Sequence, residues 1–418
     1  MSEPLVYDTI IIGGGPGGST AGTYLAMAGQ KVLVLEKEVF PRFHIGESLL
    51  PFGNDVLKET GVWPKIEAAG FQPKYGAEFF VGNGSRWQRF WFARGLVPGY
   101  GQTFQVERAQ FDQVLLDHAA SCGCEVRQGC KAKAVARHGD EWCVTLKDGE
   151  ARGRWLIDAS GRDAFLGRSL GFARKPMNLT KRIAVYAHFK GVYRNPADAE
   201  GHITIVRIKD GWFWLIPLAN GKMSVGMVRT LEDLKSFGGT VEDWFAKTIA
   251  ASRELRQRMN GALQISPFYK TSDYSYHHEQ LANDRALLVG DAAGFIDPIF
   301  SSGVHIATKS AQMAARLICA AHKQNRGLML REQRDYSTDV HRYMDVYRQM
   351  VLMYYDNCAF EVLMYPYSRF GMVQAVNSVL AGNFHRRFNV WWRLKLFHLV
   401  CAIHRRIPIV PRLDYSDA

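Results

Sequence analysis

The chain has 418 residues, more than one typical domain holds, so we expect two subdomains around a shared core together with an extension. Its composition, 47% hydrophobic and 22% charged, is ordinary for a soluble globular protein, although the net charge of +12 is strongly basic. No stretch approaches the roughly 20 uncharged apolar residues of a membrane span, and residues 1–7 carry no signal region, so a cytoplasmic location is expected.

The first predicted unit consists of a strand, a glycine-rich turn, a helix and a second strand. The β-branched run at 8–12 is typical of a strand that is buried on both faces of a parallel sheet. Small residues at 19–28 predict a helix that Gly29 ends, and residues 31–35 predict the next strand. A parallel α/β arrangement is therefore expected at the start of the chain.

The middle of the chain predicts a second, sheet-rich layer before the first sheet is completed. Alternating or β-branched stretches mark its strands, a helix is expected to end near Thr60, and another follows Gly303. Further predicted strands are 75–81, 89–92, 125–127, 141–147, 154–158, 184–189, 203–208, 213–217, 222–228 and 286–289, and a helix is predicted at 107–121.

The C-terminal region is predicted to be helical and is unusually basic. Residues 362–413 contain no acid and the eight bases Arg369, Arg386, Arg387, Arg393, Lys395, Arg405, Arg406 and Arg412. One interpretation is the solvated face of a docked helix, and the other is a surface, over 386–412, for an acidic partner or an anionic membrane. Nucleic acid is not expected, because nothing else in the chain resembles a reader of bases.

Metal and disulfide chemistry are not indicated. The seven cysteines are an odd number, and Cys122 and Cys124 are separated by one residue, which fits neither a redox CxxC nor a zinc pair. Buried, reduced thiols are expected. No cluster of His, Asp or Glu has metal-ligand spacing, and no Ser–His–Asp arrangement is indicated.

The glycine-rich turn has the spacing of a dinucleotide-binding site. Gly13 allows the tight turn, Gly15 lets the backbone approach a pyrophosphate, and Gly18 lets the helix pack on the strand. The first N–H groups of the helix then face the phosphates. Glu36 ends the second strand, where a carboxylate bonds ribose hydroxyls and repels a 2′-phosphate, so NADP is disfavoured.

Two turns that are distant in sequence indicate which dinucleotide, FAD or NAD, is expected. Residues 158–162 (DASGR) and 288–292 (LVGDA) each read as a strand end followed by a turn, and with them the sequence resembles the flavoprotein monooxygenase superfamily over residues 5–320. The resemblance implies FAD at the glycine–aspartate turn. No second GxGxxG follows, so we expect reduced flavin to come from a separate reductase.

Three further matches narrow the resemblance to the flavin-dependent halogenases of the phenol and pyrrole type. Residues 212–217 (WFWLIP) match the WxWxIP motif of that family, and residues 295–303 (FIDPIFSSG) match its FxxPxxSxG pattern. Lys74 lies where the family keeps its active-site lysine, and residues 46–48 (GES) fit the pattern upstream. The resemblance implies that halide becomes hypohalous acid at a flavin C4a-hydroperoxide and passes through Lys74 to the substrate.

The resemblance also implies the fold: a Rossmann-type α/β FAD-binding domain with an interleaved β-sheet substrate domain and a helical C-terminal extension. We predict an FAD-binding domain at 1–175 with inserted strands at 70–105 and a substrate domain at 176–275. The FAD-binding domain returns at 276–325, and the helical, basic region covers 326–418.

The expected site residues fall into three groups, with no metal ligands. The catalytic group is Lys74, Glu47, Trp212 and Trp214, in which the tryptophans keep the substrate from the flavin and Glu47 relays a proton or shapes the passage to the lysine. The halide group is Ser301, Ser302 and Gly303. The FAD group is Gly13, Gly15, Gly18, Ser19, Glu36, Lys37, Arg42, Ser48, Arg108, Asp158, Gly290, Asp291, Pro298, Gly303 and Val304.

The expected substrate is an electron-rich aromatic ring, phenol-like or pyrrole-like, either free or tethered to a carrier protein. The tryptophan halogenases carry a glutamate near the turn where this chain has Phe300 and two serines, so an indole is less favoured. The stretch 273–276 also looks closer to the phenol and pyrrole enzymes. The alternatives are an FAD-dependent monooxygenase, a geranylgeranyl-reductase-like oxidoreductase acting on a hydrophobic substrate, or a flavin-binding protein without a catalytic cycle.

Overall fold

The computed structural model describes residues 6–177, 179–272, 275–366, 369–383 and 388–415. Residues 273 and 274 of the stretch at 273–276, and Arg386 and Arg387 of the basic segment, lie outside the described residues.

The strands of the described residues, in chain order, are β1 (Val6–Ile12), β2 (Val32–Leu35), β3 (Gln72–Lys74), β4 (Gly76–Val81), β5 (Trp87–Trp91), β6 (Thr103–Gln105), β7 (Glu125–Arg127), β8 (Ala134–His138), β9 (Glu141–Thr145), β10 (Glu150–Asp158), β11 (Arg174–Pro176), β12 (Arg182–Lys190), β13 (Ile203–Ile208), β14 (Gly211–Pro217), β15 (Lys222–Thr230), β16 (Leu263–Gln264), β17 (Tyr269–Ser272), β18 (Tyr276–His278), β19 (Ala286–Leu288) and β20 (Gly294–Phe295).

The α-helices, in the same order, are α1 (Pro16–Met27), α2 (Asn54–Glu59), α3 (Trp63–Ala68), α4 (Arg108–Ser121), α5 (Phe165–Ser169), α6 (Leu231–Phe237), α7 (Val241–Ala251), α8 (Arg253–Arg258), α9 (Gly303–Lys323), α10 (Leu330–Tyr355), α11 (Asn357–Met364), α12 (Met372–Leu380) and α13 (Phe388–Arg406). None of these helices combines the length and apolar character that a membrane crossing requires.

The first sheet has the strand order β7-β2-β1-β10-β9-β8, and β19 pairs with β10. Strands β7, β2, β1, β10 and β19 are parallel to their neighbours in this group, as the β-branched runs predicted. Ile12 lies between Leu35 and Asp158, and Asp158 pairs with Leu288. The glycine turn and both downstream turns therefore meet at one carboxyl edge, where open α/β sheets bind ligands.

The second sheet has the order β16-β12-β15-β14-β13-β4-β5, with β17 paired to β12. Strands β4 and β5 belong to the segment inserted at 70–105, and β4 pairs with β13 in parallel. One sheet therefore holds both the strand that follows Lys74 and the strand that carries Trp212 and Trp214.

Between 176 and 275 only strands are predicted from the sequence, whereas the structure has α6, α7 and α8 there. The side chains of Thr230, Thr240 and Ser252 each accept a hydrogen bond from a backbone N–H at the start of these helices, and acidic residues occupy each first turn. These are the usual signals of a helix start, and they were present in the sequence. The three helices cover the face of the second sheet that points away from the first.

Candidate active site

A cavity of about 510 Å³ lies at the carboxyl edge of the first sheet and reaches the second sheet. The glycine turn, the 36–48 loop and the turns after β10 and β19 form one part of its wall, while β12, β13 and β14 form the other. Among the lining residues are Gly13, Gly15, Glu36, Lys37, Arg42, Glu47, Ser48, Arg108, Trp212, Trp214, Gly290, Asp291, Pro298, Ser301, Ser302, Gly303 and Val304.

The glycine turn needs its glycines for different reasons. Gly13 has φ +106°, and a Cβ there would lie 2.2 Å from the carbonyl oxygen of Ala159. A Cβ at Gly18 would lie 1.8 Å from the Gly13 carbonyl oxygen, so only glycine permits the crossing of turn and helix. A Cβ at Gly15 would find, among the described residues beyond its chain neighbours, only Nη2 of Arg42 within 4 Å, at 3.5 Å, so a methyl group there would occupy the cavity.

Three residues of the predicted FAD group support the turns rather than line the cavity. Gly18 lies behind the glycine turn, and Ser19 Oγ donates to the Gly14 carbonyl oxygen at 2.7 Å. The carboxylate of Asp158 accepts the N–H groups of Ser160 and Leu166 at 2.9 and 2.7 Å. Both carboxylate oxygens of Asp158 therefore hold the turn that follows β10.

Glu36 is buried at the end of β2 with both carboxylate oxygens engaged. Oε2 accepts the Gly14 N–H at 2.7 Å, and Oε1 accepts the Glu38 N–H at 2.9 Å. The side chain thus braces the glycine turn and still lines the cavity. Lys37 and Asp163, which form an ion pair of 2.6 Å, are neighbours at the cavity rim.

Two arginines, held in place by ion pairs, lie beside the glycine turn. Asp112 is buried and pairs with Arg108 at 2.7 Å and with Arg42 at 3.0 Å. Burial alone would raise the pKa of Asp112, but the two guanidinium groups hold it below its usual range. Burial and Arg108 lower the pKa of the neighbouring His44 to about 4, so His44 is neutral. Arg42 also pairs with Glu38 at 3.2 Å, so each guanidinium group beside the cavity has a carboxylate partner.

The other turn of the cavity rim carries a second carboxyl group. Gly290 has φ +58°, and its N–H donates to Ser310 Oγ at 2.9 Å, which fixes the turn after β19. Burial raises the pKa of Asp291 to about 6, while Arg108 and Arg162 partly offset that shift.

A short turn joins the cavity to the start of α9. Asp297 Oδ1 accepts the Ile299 N–H at 3.0 Å, and Ser301 adopts φ +55°. Ser302 precedes α9 and makes no side-chain cap, so it leaves the first N–H groups of the helix without a hydroxyl partner from that residue. A helix N-terminus of this kind, opening on a cavity, favours a small anion.

Trp212 and Trp214 are buried side by side on β14, with ring centroids 5.8 Å apart. Trp212 Nε1 donates to the Tyr355 hydroxyl at 2.8 Å, and Trp214 Nε1 donates to Ser224 Oγ at 3.1 Å. A Cβ at Gly226 would lie 2.1 Å from the Trp214 ring, so the glycine of the neighbouring strand admits that indole. Both rings are therefore fixed parts of the cavity wall.

Lys74 lies at the end of β3 with a side chain only 1% exposed. Its Nζ donates to Ser48 Oγ and to the Leu49 carbonyl oxygen, each at 2.8 Å, and lies 5.2 Å from the Phe92 ring. Burial lowers the pKa of Lys74 to about 7. Lys74 does not line the 510 Å³ cavity, and Ser48, which does, separates the two.

Glu47 pairs with a histidine that the sequence analysis did not select. Glu47 is buried, and its Oε1 lies 2.8 Å from His188 Nε2, while Oε2 has no hydrogen-bond partner among the described residues. Burial would lower the pKa of His188, but Glu47 raises it above its usual value. The signal was the alternation on β12, in which Ala184, Tyr186 and His188 share one face.

His305 is buried near the start of α9. Its Nδ1 lies 2.8 Å from the hydroxyl of Tyr347. Among the described residues, no group of His, Cys, Asp and Glu has the arrangement of a metal site.

The comparisons with known proteins identify the family. The family model described as "Tryptophan halogenase" matches residues 8–97 and 92–360, most of the chain. The chain belongs to the flavin-dependent halogenases. The predicted family, fold class, enzyme class and requirement for FAD, halide and O2 are thereby confirmed. The cavity fits the cofactor, because its glycine turn leaves room only without a Cβ and two guanidinium groups line it beside that turn.

Curated relatives agree with this family. A 1H-pyrrole-2-carbonyl-[peptidyl-carrier protein] chlorinase of Pseudomonas fluorescens is 36% identical, over 76% of this chain and 77% of that protein. A tryptophan 2-halogenase of Chondromyces crocatus is also 36% identical, over 75% of this chain but only 61% of that protein. A 1H-pyrrole-2-carbonyl-[peptidyl-carrier protein] brominase of Pseudoalteromonas luteoviolacea is 34% identical, over 82% and 83%.

Solved structures share the whole architecture of this halogenase. A flavoprotein/dehydrogenase from Cytophaga hutchinsonii superposes with a TM-score of 0.89 at 30% identity and covers 96% of this chain and 99% of that one. The myxobacterial chondrochloren halogenase superposes with a TM-score of 0.78, also at 30% identity, and covers 96% and 97%.

Proposed function

We propose that this halogenase passes an oxidised halogen through Lys74 to an electron-rich aromatic ring of the pyrrole or phenol class, carried on an acyl or peptidyl carrier protein. The observation that carries the proposal is the buried amine of Lys74. It has no carboxylate partner among the described residues, lies 5.2 Å from the Phe92 ring, and is separated from the cavity by the loop that holds Ser48.

The residues for FAD and halide are those that line the cavity. The guanidinium groups of Arg42 and Arg108 suit the pyrophosphate, and Glu36 suits the ribose. Ser301, Ser302 and Gly303 offer the halide a hydroxyl-bearing turn and a helix N-terminus. Reduced FAD, with dioxygen, supplies the oxidising equivalent that converts halide into hypohalous acid.

The tryptophan pair provides selectivity between halide and substrate. Both rings are buried and hydrogen-bonded, so the wall at Trp212 and Trp214 does not yield to an organic molecule of substrate size. A halide ion needs far less room. Direct oxygenation of the substrate is therefore disfavoured, while the oxidant leaves towards Lys74.

Lys74 accepts the halogen as a neutral amine. Its two described acceptors, Ser48 Oγ and the Leu49 carbonyl, satisfy the two N–H groups of an amine and leave its lone pair available. The amine displaces hydroxide from hypohalous acid, the proton that it loses joins that hydroxide as water, and an N–halogen bond remains. The aromatic ring then takes the halogen and returns a proton to the nitrogen.

Glu47 and His188 take part in the proton transfers of these steps. The buried carboxylate oxygen of Glu47 has no described partner and can take a proton, while the other oxygen lies 2.8 Å from His188 Nε2, so a change of charge on Glu47 acts directly on His188. Glu47→Gln, which keeps the shape, is expected to lower halogenated product per reduced flavin by about tenfold to a hundredfold, within the range of a general acid–base residue. Product yield and FAD binding are the measurements; an unchanged yield would remove Glu47 from the mechanism.

The substrate class is inferred from the relatives and from the turn at residues 297–303, which we call the halide turn. Two relatives act on a pyrrole-2-carbonyl group held by a peptidyl carrier protein. The third relative is a tryptophan 2-halogenase, so tryptophan is the competing substrate to include in the assay. The turn at Phe300–Ser302 replaces the glutamate of the tryptophan enzymes with two serines, which favours pyrrole or phenol here.

The outer face of α13 suits an acidic carrier protein. Phe388, Trp391, Lys395, Leu399 and Arg406 follow each other at helical spacing and are exposed, with Phe388 at 73% and Trp391 at 57%. The opposite face of α13 is buried against α11 and α12. Because α13 exposes apolar side chains on the face opposite its buried one, the exposed face can bind a partner protein. The basic side chains of that face would repel a second copy of this chain, which carries the same charges.

Reversing two charges tests this surface. Lys395→Glu with Arg406→Glu is expected to raise the KM for a carrier-bound pyrrole about tenfold, since rim charges govern encounter, and to leave the KM for the free ring unchanged. Lys133→Glu with Lys147→Glu, on the distant β8 and β9 side, is the matched control. If the variant instead loses binding to anionic vesicles without changing the carrier KM, the surface serves a membrane and the carrier proposal is wrong.

The whole proposal is tested with a flavin reductase, NADH, bromide and a panel of pyrroles, phenols and tryptophan, free and carrier-loaded. Separate supply of reduced flavin is part of the proposal. The expected product shows the bromine isotope pattern, with the carrier-loaded pyrrole or phenol preferred. Oxidation or saturation that is independent of halide would favour a monooxygenase or a geranylgeranyl-reductase-like activity instead.

A further inference from the structure

Two features of the cavity wall, the tryptophan pair on β14 and the halide turn, are distant in sequence but are connected through the end of α10. Trp212 Nε1 donates to the Tyr355 hydroxyl at 2.8 Å. The Tyr355 hydroxyl in turn donates to Asp297 Oδ2 at 3.2 Å. Asp297 Oδ1 accepts the Ile299 N–H inside the turn, so one chain of hydrogen bonds runs from the indole to the backbone of the turn.

The end of α10 is itself held in place. Arg207, buried on β13, donates to the terminal carbonyl oxygens of Tyr354 and Tyr355 at 2.7 and 3.3 Å and to Asn357 Oδ1 at 2.6 Å. Cations are favourable at a helix C-terminus, where the carbonyl groups have no partner within the helix. The Arg182 guanidinium also lies 3.9 Å from the centroid of the Tyr355 ring. The Tyr355 hydroxyl is thus presented at a fixed position.

We infer that Tyr355 is a positioning residue for the halogenation reaction, which holds Trp212 and the halide turn in register through Asp297. The inference rests on the proposed role of Ser301 to Gly303 in binding halide. Because Asp297 fixes the turn from which those residues follow, loosening Tyr355 changes the halide site and the shielding indole together. Neither Tyr355 nor Asp297 needs to touch the halide.

The test replaces Tyr355 by phenylalanine, which removes only the hydroxyl. Loss of a hydrogen bond to a charged acceptor is expected to raise the KM for bromide about tenfold, with a smaller change in kcat. More of the reduced flavin should be lost as hydrogen peroxide, because the wall at Trp212 is less well fixed. FAD affinity should stay within about twofold, since the glycine turn and the arginines are untouched.

The neighbouring residue provides the matched control. Tyr354 lies at the same helix end and is buried, but its hydroxyl has no hydrogen-bond partner among the described residues. Tyr354→Phe should therefore leave the bromide KM unchanged. Asp297→Asn should raise the KM as Tyr355→Phe does, and the double variant Tyr355→Phe with Asp297→Asn should be no worse than the poorer single variant, since both break one chain of contacts.

The outcomes separate this inference from the proposed function. If the unaltered enzyme forms no brominated product, the proposed function fails. If it brominates and Tyr355→Phe has the bromide KM of the unaltered enzyme, or if Tyr354→Phe raises the KM equally, then Tyr355 does not position the halide turn. Melting temperatures, measured with FAD bound, identify a variant whose loss of activity follows from unfolding.

Discussion

Replacing Lys74 by methionine is expected to abolish halogenation while leaving the protein folded, bound to FAD and able to reduce oxygen to peroxide. Methionine fills the same buried space but offers no N–H group and no lone pair, so the oxidant finds no acceptor beside the substrate. We expect at least a thousandfold loss of halogenated product, comparable with the removal of a covalent catalyst. Product by mass spectrometry and peroxide by colorimetry are measured together.

The same substitution should make the protein more stable, which distinguishes a catalytic loss from a folding defect. In the unfolded chain a lysine stays protonated up to a pH of about 10.4, whereas burial lowers the pKa of Lys74 to about 7 in the folded protein. Protonating the unfolded chain therefore lowers the free energy of unfolding as pH falls from about 10 to about 7. Lys74→Met removes that cost, so its melting temperature at neutral pH should rise.

The protonation of Lys74 also gives the unaltered enzyme a pH signature. If the neutral amine takes the halogen, the fraction of oxidant that reaches product should rise between about pH 6 and about pH 8 and then level off. If the ammonium form instead donates a hydrogen bond to hypohalous acid, that fraction should fall over the same interval. A falling profile would contradict the amine mechanism while leaving the requirement for Lys74 intact.

Gly18→Ala is expected to prevent the FAD-binding unit from folding normally. This loss of folding is the second large effect that we expect. Its Cβ would lie 1.8 Å from the Gly13 carbonyl oxygen, and backbone atoms at that distance must move. Overpacking of this kind costs about 1–3 kcal/mol and occasionally more, and here it falls on the crossing of β1 and α1. We expect mostly insoluble protein, or a melting temperature lower by 10 °C or more by circular dichroism, about the effect of several kcal/mol.

Gly15→Ala is the matched comparison, because its methyl group would meet only Nη2 of Arg42 at 3.5 Å. This variant should fold and melt like the unaltered protein without FAD, yet bind FAD at least tenfold more weakly, since the methyl group enters the cavity. If both variants fold equally well and differ only in FAD affinity, then the assigned structural role of Gly18 is wrong.

The features predicted best from the sequence are those that depend on residues close together in the chain. Gly13, Gly15 and Gly18 predict a turn because few other residues tolerate its backbone, and parallel strands bring Asp158 and Gly290 to the same edge. The start signals at Thr230, Thr240 and Ser252 are equally local, and the helices that they begin were predictable although the sequence analysis missed them.

Contacts between distant residues were not predictable in the same way. Glu47 and His188 are 141 residues apart, and Trp212 and Tyr355 are 143 apart. No local pattern selects such partners, because sheet register and helix packing decide which side chains meet. The burial of Lys74 shows the same limit, because its two acceptors come from the separate loop at 48–49.

The parallel pairing of β4 with β13 has a consequence for biosynthesis of the enzyme. The strand that follows Lys74 cannot enter its sheet until residues near 203–208 have been made, and the tryptophan wall follows on the next strand. Such non-local pairings form late, because loop-closure entropy must be overcome first. The glycine turn, by contrast, is built from neighbouring residues. The turns at 290–291 and 301–303 are nevertheless made after β13 and β14. A nascent chain therefore contains the residues of its tryptophan wall before it contains the turn assigned to halide, so that turn is not completed ahead of the residues that shield it.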